Sequence, residues 1–108
     1  RAPEPDGGPA GDGRAERDYT KAIELDPLYV DAYYNRGYAY RWYYDEPAKA
    51  LADFEMATKL RPTWAAAHCE LGNVRAHLGD PWGGLADTTR ALELDPDYAC
   101  AYYTRGHI

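Results

Sequence analysis

One phrase recurs three times in this sequence. Leu25 to Gly37 reads LDPLYVDAYYNRG, Leu60 to Gly72 reads LRPTWAAAHCELG, and Leu94 to Gly106 reads LDPDYACAYYTRG. The copies begin at intervals of 35 and 34 residues. Self-similarity at such a period means supersecondary units that cannot bury their apolar faces alone and must stack to do so. A chain written this way folds as an array.

Hydrophobic spacing predicts that the units are helical. Ala15, Tyr19, Ala22 and Ile23 fall at i, i+4, i+7 and i+8, one face of a helix over Arg14 to Leu25. Asp12 stands where a cap is wanted, and Pro27 stops the helix. A second helix runs from about Tyr29 to Tyr43, with Tyr33, Gly37 and Tyr40 on one stripe. Asp45, Glu46 and Pro47 read as an acidic cap with Pro in the first turn. The third helix places Ala50, Leu51, Phe54, Ala57 and Leu60 inward and ends at Pro62. The fourth runs from about Trp64 to Leu78 and stops at Gly79, a left-handed terminator. Asp80 and Pro81 open the fifth, which ends at Leu94. A sixth begins near Tyr98. Short connections make consecutive helices antiparallel neighbours. Residues 1–13 hold Gly or Pro at seven of thirteen positions, so they read as a flexible linker or a cloning remnant.

Composition narrows the class of work. The chain has 108 residues, 45% hydrophobic and 28% charged, enough for one folded domain and against disorder throughout. A formal net charge of −6 argues against nucleic acid or an anionic membrane surface as partner, since both demand clustered Lys and Arg. No apolar run approaches the roughly 18 residues that span a bilayer. Two cysteines, Cys69 and Cys100, are too few for a disulfide scaffold, which leans toward a reducing, cytoplasmic setting.

The residues now align on a known pattern. Tyr33, Arg36-Gly37, Tyr40, Ala50, Phe54, Ala57 and Pro62 fall in the frame of the tetratricopeptide repeat, a 34-residue helix–turn–helix unit. One extra residue sits between Tyr43 and Glu46. The next copy places His68, Leu71-Gly72, Arg75, Gly84, Thr88, Ala91 and Pro96 on the same frame. Ala15, Tyr19, Ala22 and Pro27 supply a second helix only, and Tyr102, Arg105 and Gly106 a first helix only. The chain therefore resembles a tetratricopeptide array: a partial repeat at 14–29, full repeats at 30–64 and 65–98, and a partial repeat at 99–108. The resemblance implies an all-α, right-handed solenoid of helix pairs. Gly37 and Gly72 mark the tightest approach within a pair, with Ala50 and Gly84 opposite. The 65–98 copy, with Gly83, Gly84 and Thr88, should be the softest, and Trp64 and Trp82 are expected to fill its missing volume.

In this family the first helices line a concave groove that holds peptides. Carried over by position, that face comprises Asp31, Tyr34, Asn35, Tyr38 and Trp42, then Ala66, Cys69, Glu70, Asn73 and His77, then Cys100, Tyr103, Thr104 and His107. It has aromatic platforms and few charges, and suits apolar or neutral peptide side chains. Some chaperone-binding members clamp a C-terminal carboxylate with Lys, Asn and Arg. Asn35 fits the Asn slot, but Glu70 occupies the Arg slot and Ala66 the Lys slot, so the clamp is not expected.

Nothing else in the sequence carries chemistry. Cys69, His77, Cys100 and His107 lack the close pairing of a zinc site. No catalytic residues, metal or cofactor are expected. A Cys69–Cys100 disulfide is disfavoured because packed helices lie about 8–10 Å apart, more than the ~7 Å between Cα atoms that a disulfide tolerates. His68, at an aromatic position, reads as a satisfied core histidine. The expectation is a non-catalytic scaffold for a protein or peptide. The alternative is a spacer or oligomerisation module that associates head to tail, Tyr102 and Gly106 of one copy packing near Ala15, Tyr19 and Ala22 of the next.

Overall fold

The computed structural model describes residues 14–98, and these form five α-helices: α1 (Arg14–Leu25), α2 (Val30–Trp42), α3 (Pro47–Leu60), α4 (Ala65–His77) and α5 (Pro81–Leu94). Each packs against the next, and α2 also touches α4, its counterpart in the following pair. This is an all-α helical solenoid, with no strand among the described residues. Asp12 and the sixth helix lie outside them.

The recurring phrase folds as a joint. In each copy the residue before Pro offers its carbonyl to an amide three residues on: Tyr29 to Asp26 at 3.0 Å, Trp64 to Arg61 at 3.2 Å and Tyr98 to Asp95 at 3.1 Å. Pro occupies the second position of each turn, where its fixed φ is already correct. Asp26 and Asp95 reinforce the turn by accepting from the amides of Leu28 and Asp97 at 3.1 and 3.2 Å. A second bond locks the joint from the next helix. The Tyr33 hydroxyl donates to the Pro27 carbonyl at 3.0 Å, and His68 Nε2 pairs with the Pro62 carbonyl at 2.8 Å. A carbonyl only accepts, so His68 carries its proton on Nε2. His68 is half-buried and satisfied, at the joint and not deep in the core.

The turn within a pair is built differently. Gly79 takes φ +96°, and the Asp80 amide reaches back to the Arg75 carbonyl at 2.8 Å, closing α4 as a Schellman-type end. Asp80 then caps α5, its Oδ1 accepting from the Gly83 amide at 2.9 Å. The preceding pair departs from the expected acidic cap. Glu46 occupies the cap position of α3 but makes no capping bond; its carboxylate faces Lys49 at 3.8 Å instead. Asp45 takes the left-handed conformation, φ +55°. With one more residue in this turn, Asp45 fills the place that Gly79 fills later, a role Asp tolerates better than most residues.

The core lies between the helices of each pair and between pairs. Ala50, Phe54, Ala57, Ala67, Val74 and Ala91 are fully buried. A Cβ built on Gly37 would stand 3.0 Å from the Phe54 ring; one on Gly72 would stand 2.7 Å from Thr88 Cγ2 and 2.8 Å from the Gly84 carbonyl oxygen. Both glycines therefore stand at a close approach. Opposite Gly37 stand Phe54 and Asp53 instead of Ala50, and only Gly72 meets its expected partner, Gly84. This corrects the expectation about volume. The pair closes up instead of being filled: Trp82 is 76% exposed, and Trp64 packs at the earlier joint with Tyr33, Ala57 and Ala67. Thr88, at the expected aromatic position, is fully buried and gives its hydroxyl to the carbonyls of Gly84 and Leu85.

One polar group stitches the first three helices. Arg36 donates to both oxygens of Asp53 on α3, Nε at 2.8 Å and Nη2 at 2.7 Å, and through Nη1 to the Thr20 hydroxyl on α1 at 3.2 Å. Tyr40 adds a bond to Glu16 of α1 at 2.6 Å. These links position α1, which buries none of its own residues. In the next pair Asp87 occupies the Asp53 position and is met by Arg75 from a turn further along, at 3.4 Å.

Candidate functional site

Helix α2 presents an aromatic ladder because tyrosine or tryptophan recurs every four residues, one ring above another on a helix. Tyr34 and Tyr38 have ring centroids 6.3 Å apart, as do Tyr38 and Trp42. The ladder grades from core to surface. Tyr34 is half-buried, 4.5 Å from the Trp64 ring and 5.7 Å from Phe54. Tyr38 is 39% exposed and Trp42 49%. Asp31 and Asn35 are exposed on the same helix, Asp31 facing Arg61 at 3.8 Å.

Helix α4 supplies a carboxylate beneath this ladder. Glu70 is only 7% exposed, and its Oε1 accepts from Trp42 Nε1 at 3.4 Å, a long bond. Burial pushes its carboxyl above the ordinary range, against smaller opposing effects of the Trp42 N–H and the Arg41 charge. Arg41 lies with its guanidinium 4.3 Å from the Trp42 ring centroid. Tyr98, just past the third joint, closes the far side. It packs beside Cys69 and Ala91 and pairs its hydroxyl with that of Tyr34. Burial, then the charge of Glu70, raise both tyrosines' pKa values; neither hydroxyl ionises near neutrality.

The structure thus brings together Tyr34, Tyr38, Trp42 and Glu70 of the residues read from the sequence. Asn73 is half-buried, its Nδ2 3.9 Å from Cys69 Sγ. His77 is exposed in the last turn of α4, apart from the ladder. Tyr103, Thr104 and His107 lie outside the described residues. Sequence reasoning missed Tyr98 and Arg41. Tyr98 was findable, because it stands at the position of Tyr29 and Trp64 in the recurring phrase. Glu70, read from the sequence as a residue of this face, is a nearly buried carboxylate.

Cys69 is fully buried and disulfide-bonded, with its partner outside the described residues. The expectation against a disulfide used the wrong distance. Helix axes lie about 8–10 Å apart, but each Cα sits ~2.3 Å off its axis, so Cα atoms on facing surfaces come several ångströms closer. Among the described residues no three His, Cys, Asp or Glu are grouped to hold a metal ion, and no helix is long and apolar enough to cross a membrane.

A solenoid of antiparallel helix pairs is the tetratricopeptide architecture, and the family model and solved structures that this chain is similar to are of that class. A family model described as "TPR repeat" matches residues 15–41. The Hsp70-Hsp90 organizing protein of Triticum aestivum is 35% identical over 78 residues, 72% of this chain but only 13% of that protein. The first TPR of Spaghetti (RPAP3), solved bound to the HSP90 peptide SRMEEVD, superposes with a TM-score of 0.77 at 27% identity, over 85% of this chain and 75% of that one. The Arabidopsis OM64 TPR domain gives 0.81 at 27% identity, over 89% and 82%. Family members of this kind are generally non-catalytic interaction modules.

Proposed function

We propose that this chain is a protein-interaction scaffold whose α2–α4 face holds an extended peptide. The observation that carries this reading is the ladder of Tyr34, Tyr38 and Trp42 along α2, whose last two rings are 39% and 49% exposed. Rings so placed offer large rigid contact area at low entropic cost. Two of the similar proteins are tied by name to the Hsp90 chaperone system, which supports peptide capture as the activity. It does not carry over the same peptide, because Glu70 stands where a clamp of that kind needs a cation.

Panning a displayed peptide library against the purified chain tests the proposal. Enriched peptides should bind the wild type and lose at least tenfold in affinity to Tyr38→Ala or Trp42→Ala, with helicity unchanged. Tyr34 is a poorer probe, since it also packs on Phe54 and Trp64. No enrichment, or affinity indifferent to both changes, would sink the reading.

A second reading, self-association, is favoured by one observation: Leu25 and Leu28, at the first joint, are 77% and 71% exposed. Sedimentation equilibrium across a wide concentration range distinguishes it. Association abolished by Leu25→Ser with Leu28→Ser supports it; a monomer throughout does not.

A further inference from the structure

We propose that Glu70 and the rings around it form a subsite for a basic side chain, lysine or arginine, of an extended peptide lying along the α2–α4 face. The proposal rests on the groove reading above and goes further by naming the chemistry of the occupant. Glu70 is the starting point. A carboxylate accepts about four hydrogen bonds, yet this one, 7% exposed, receives one long bond from the Trp42 indole. Buried charges are ordinarily paired. Arg41 acts on Glu70 through space; its guanidinium lies against the Trp42 face, and no ion pair joins the two among the described residues. Asp53 shows what this chain does with a buried carboxylate meant to be structural, since Arg36 grips both its oxygens. Glu70 has no such grip.

The surroundings suit a cation. Tyr34, Trp42 and Tyr98 lie about the carboxylate, and Tyr38 stands between Tyr34 and Trp42 in the ladder. Aromatic faces attract ammonium and guanidinium groups, and the apolar stem of lysine or arginine lies well along such rings. The cover is removable. Trp42 is 49% exposed and closes over Glu70 through that single 3.4 Å bond. A basic side chain entering past Tyr38 replaces a weak neutral donor with a charged one, a stronger hydrogen bond. The net charge of −6 favours the approach of such a peptide. An acidic side chain carries the opposite sign and is disfavoured at this position.

The test uses acetylated, amidated heptapeptides AALXLAA in which X is Lys, Arg, norleucine or Glu, titrated against the full chain and followed by tryptophan fluorescence and calorimetry. The Lys and Arg peptides should bind at least tenfold tighter than the norleucine peptide, with the Glu peptide weakest. Glu70→Gln should abolish that preference, bringing the Lys and Arg peptides to within about twofold of the norleucine peptide measured on the same variant, and Glu70→Asp should keep part of it. Equal or tighter binding of the norleucine peptide to the wild type overturns the subsite and leaves the groove reading standing. A preference for the Glu peptide over the Lys and Arg peptides overturns the subsite and returns the chain to the acidic-peptide type. Binding of none of these peptides overturns the subsite, and the groove itself is then decided by the library panning.

Discussion

The Arg36–Asp53 pair should carry a large share of this fold's stability, and unequally between its partners. The Asp53 side chain is 5% exposed and that of Arg36 19%. The pair is bidentate, at 2.7 and 2.8 Å. Breaking a buried pair by removing one partner costs about 3–5 kcal/mol because the other is left charged and dry. Arg36→Met strands Asp53, which has no water to turn to, so it should cost about 3–4 kcal/mol. Asp53→Asn strands Arg36, which keeps Thr20 at 3.2 Å and some solvent, and should cost less, about 2 kcal/mol. Small domains are stable by only about 5–15 kcal/mol, so either loss moves the urea midpoint well within reach of circular dichroism at 222 nm. Burial already raises the Asp53 carboxyl above its ordinary value despite Arg36. Without Arg36 it rises further, so the stranded group takes up a proton in mild acid. The deficit of Arg36→Met relative to wild type should therefore shrink between pH 7 and pH 4.5. Arg36→Met with Asp53→Leu should recover most of the loss. A cost below about 1 kcal/mol for Arg36→Met, the value of an exposed pair, would refute the reasoning; so would a larger cost for Asp53→Asn than for Arg36→Met.

Gly72→Ala should destabilise by about 2 kcal/mol or more, since overpacking costs roughly 1–3 kcal/mol and one of the atoms it strikes is a backbone oxygen at 2.8 Å. Gly37→Ala strikes the edge of the Phe54 ring at 3.0 Å and should cost less, both read by thermal melts. Asp80→Ala should lose about 1 kcal/mol with its cap, whereas Glu46→Ala, which caps nothing, should stay within about 0.5 kcal/mol. Because the Glu70 carboxyl is raised by burial above its ordinary value of 4.5, its contribution to stability is present below that value and is lost as pH rises through the folded one. Glu70→Gln should therefore be more stable than wild type at pH 7, with the gap closing toward pH 4; a gap that widens in acid would contradict this.

The architecture was legible because it is written redundantly. Each helix end is marked by Pro or Gly, and the same punctuation returns one period later, so the five described helices fall within a residue or so of where spacing puts them. What spacing could not give was the partner of each polar group. Arg36 looks like a substitute for the usual Leu, and only the fold shows that it faces Asp53, seventeen positions away. Glu70 sits one turn from surface residues of the same type of helix, and its burial depends on Trp42 and Tyr98 arriving from two other segments. Trp82 failed for a related reason: a large residue was assigned to fill a gap, but two glycines let the backbones close it first.

That closure has a consequence beyond its own pair. In a stacked array each unit is seated on the one before, so a small change in the tilt of one pair is inherited by every pair after it. In the first pair Gly37 faces the Phe54 ring, and in the second Gly72 faces Gly84 and Thr88, so the two pairs close on different surfaces. A change of bulk opposite either glycine would therefore be felt in the seating of the neighbouring pair as well as in its own, like a shim set low in a stack.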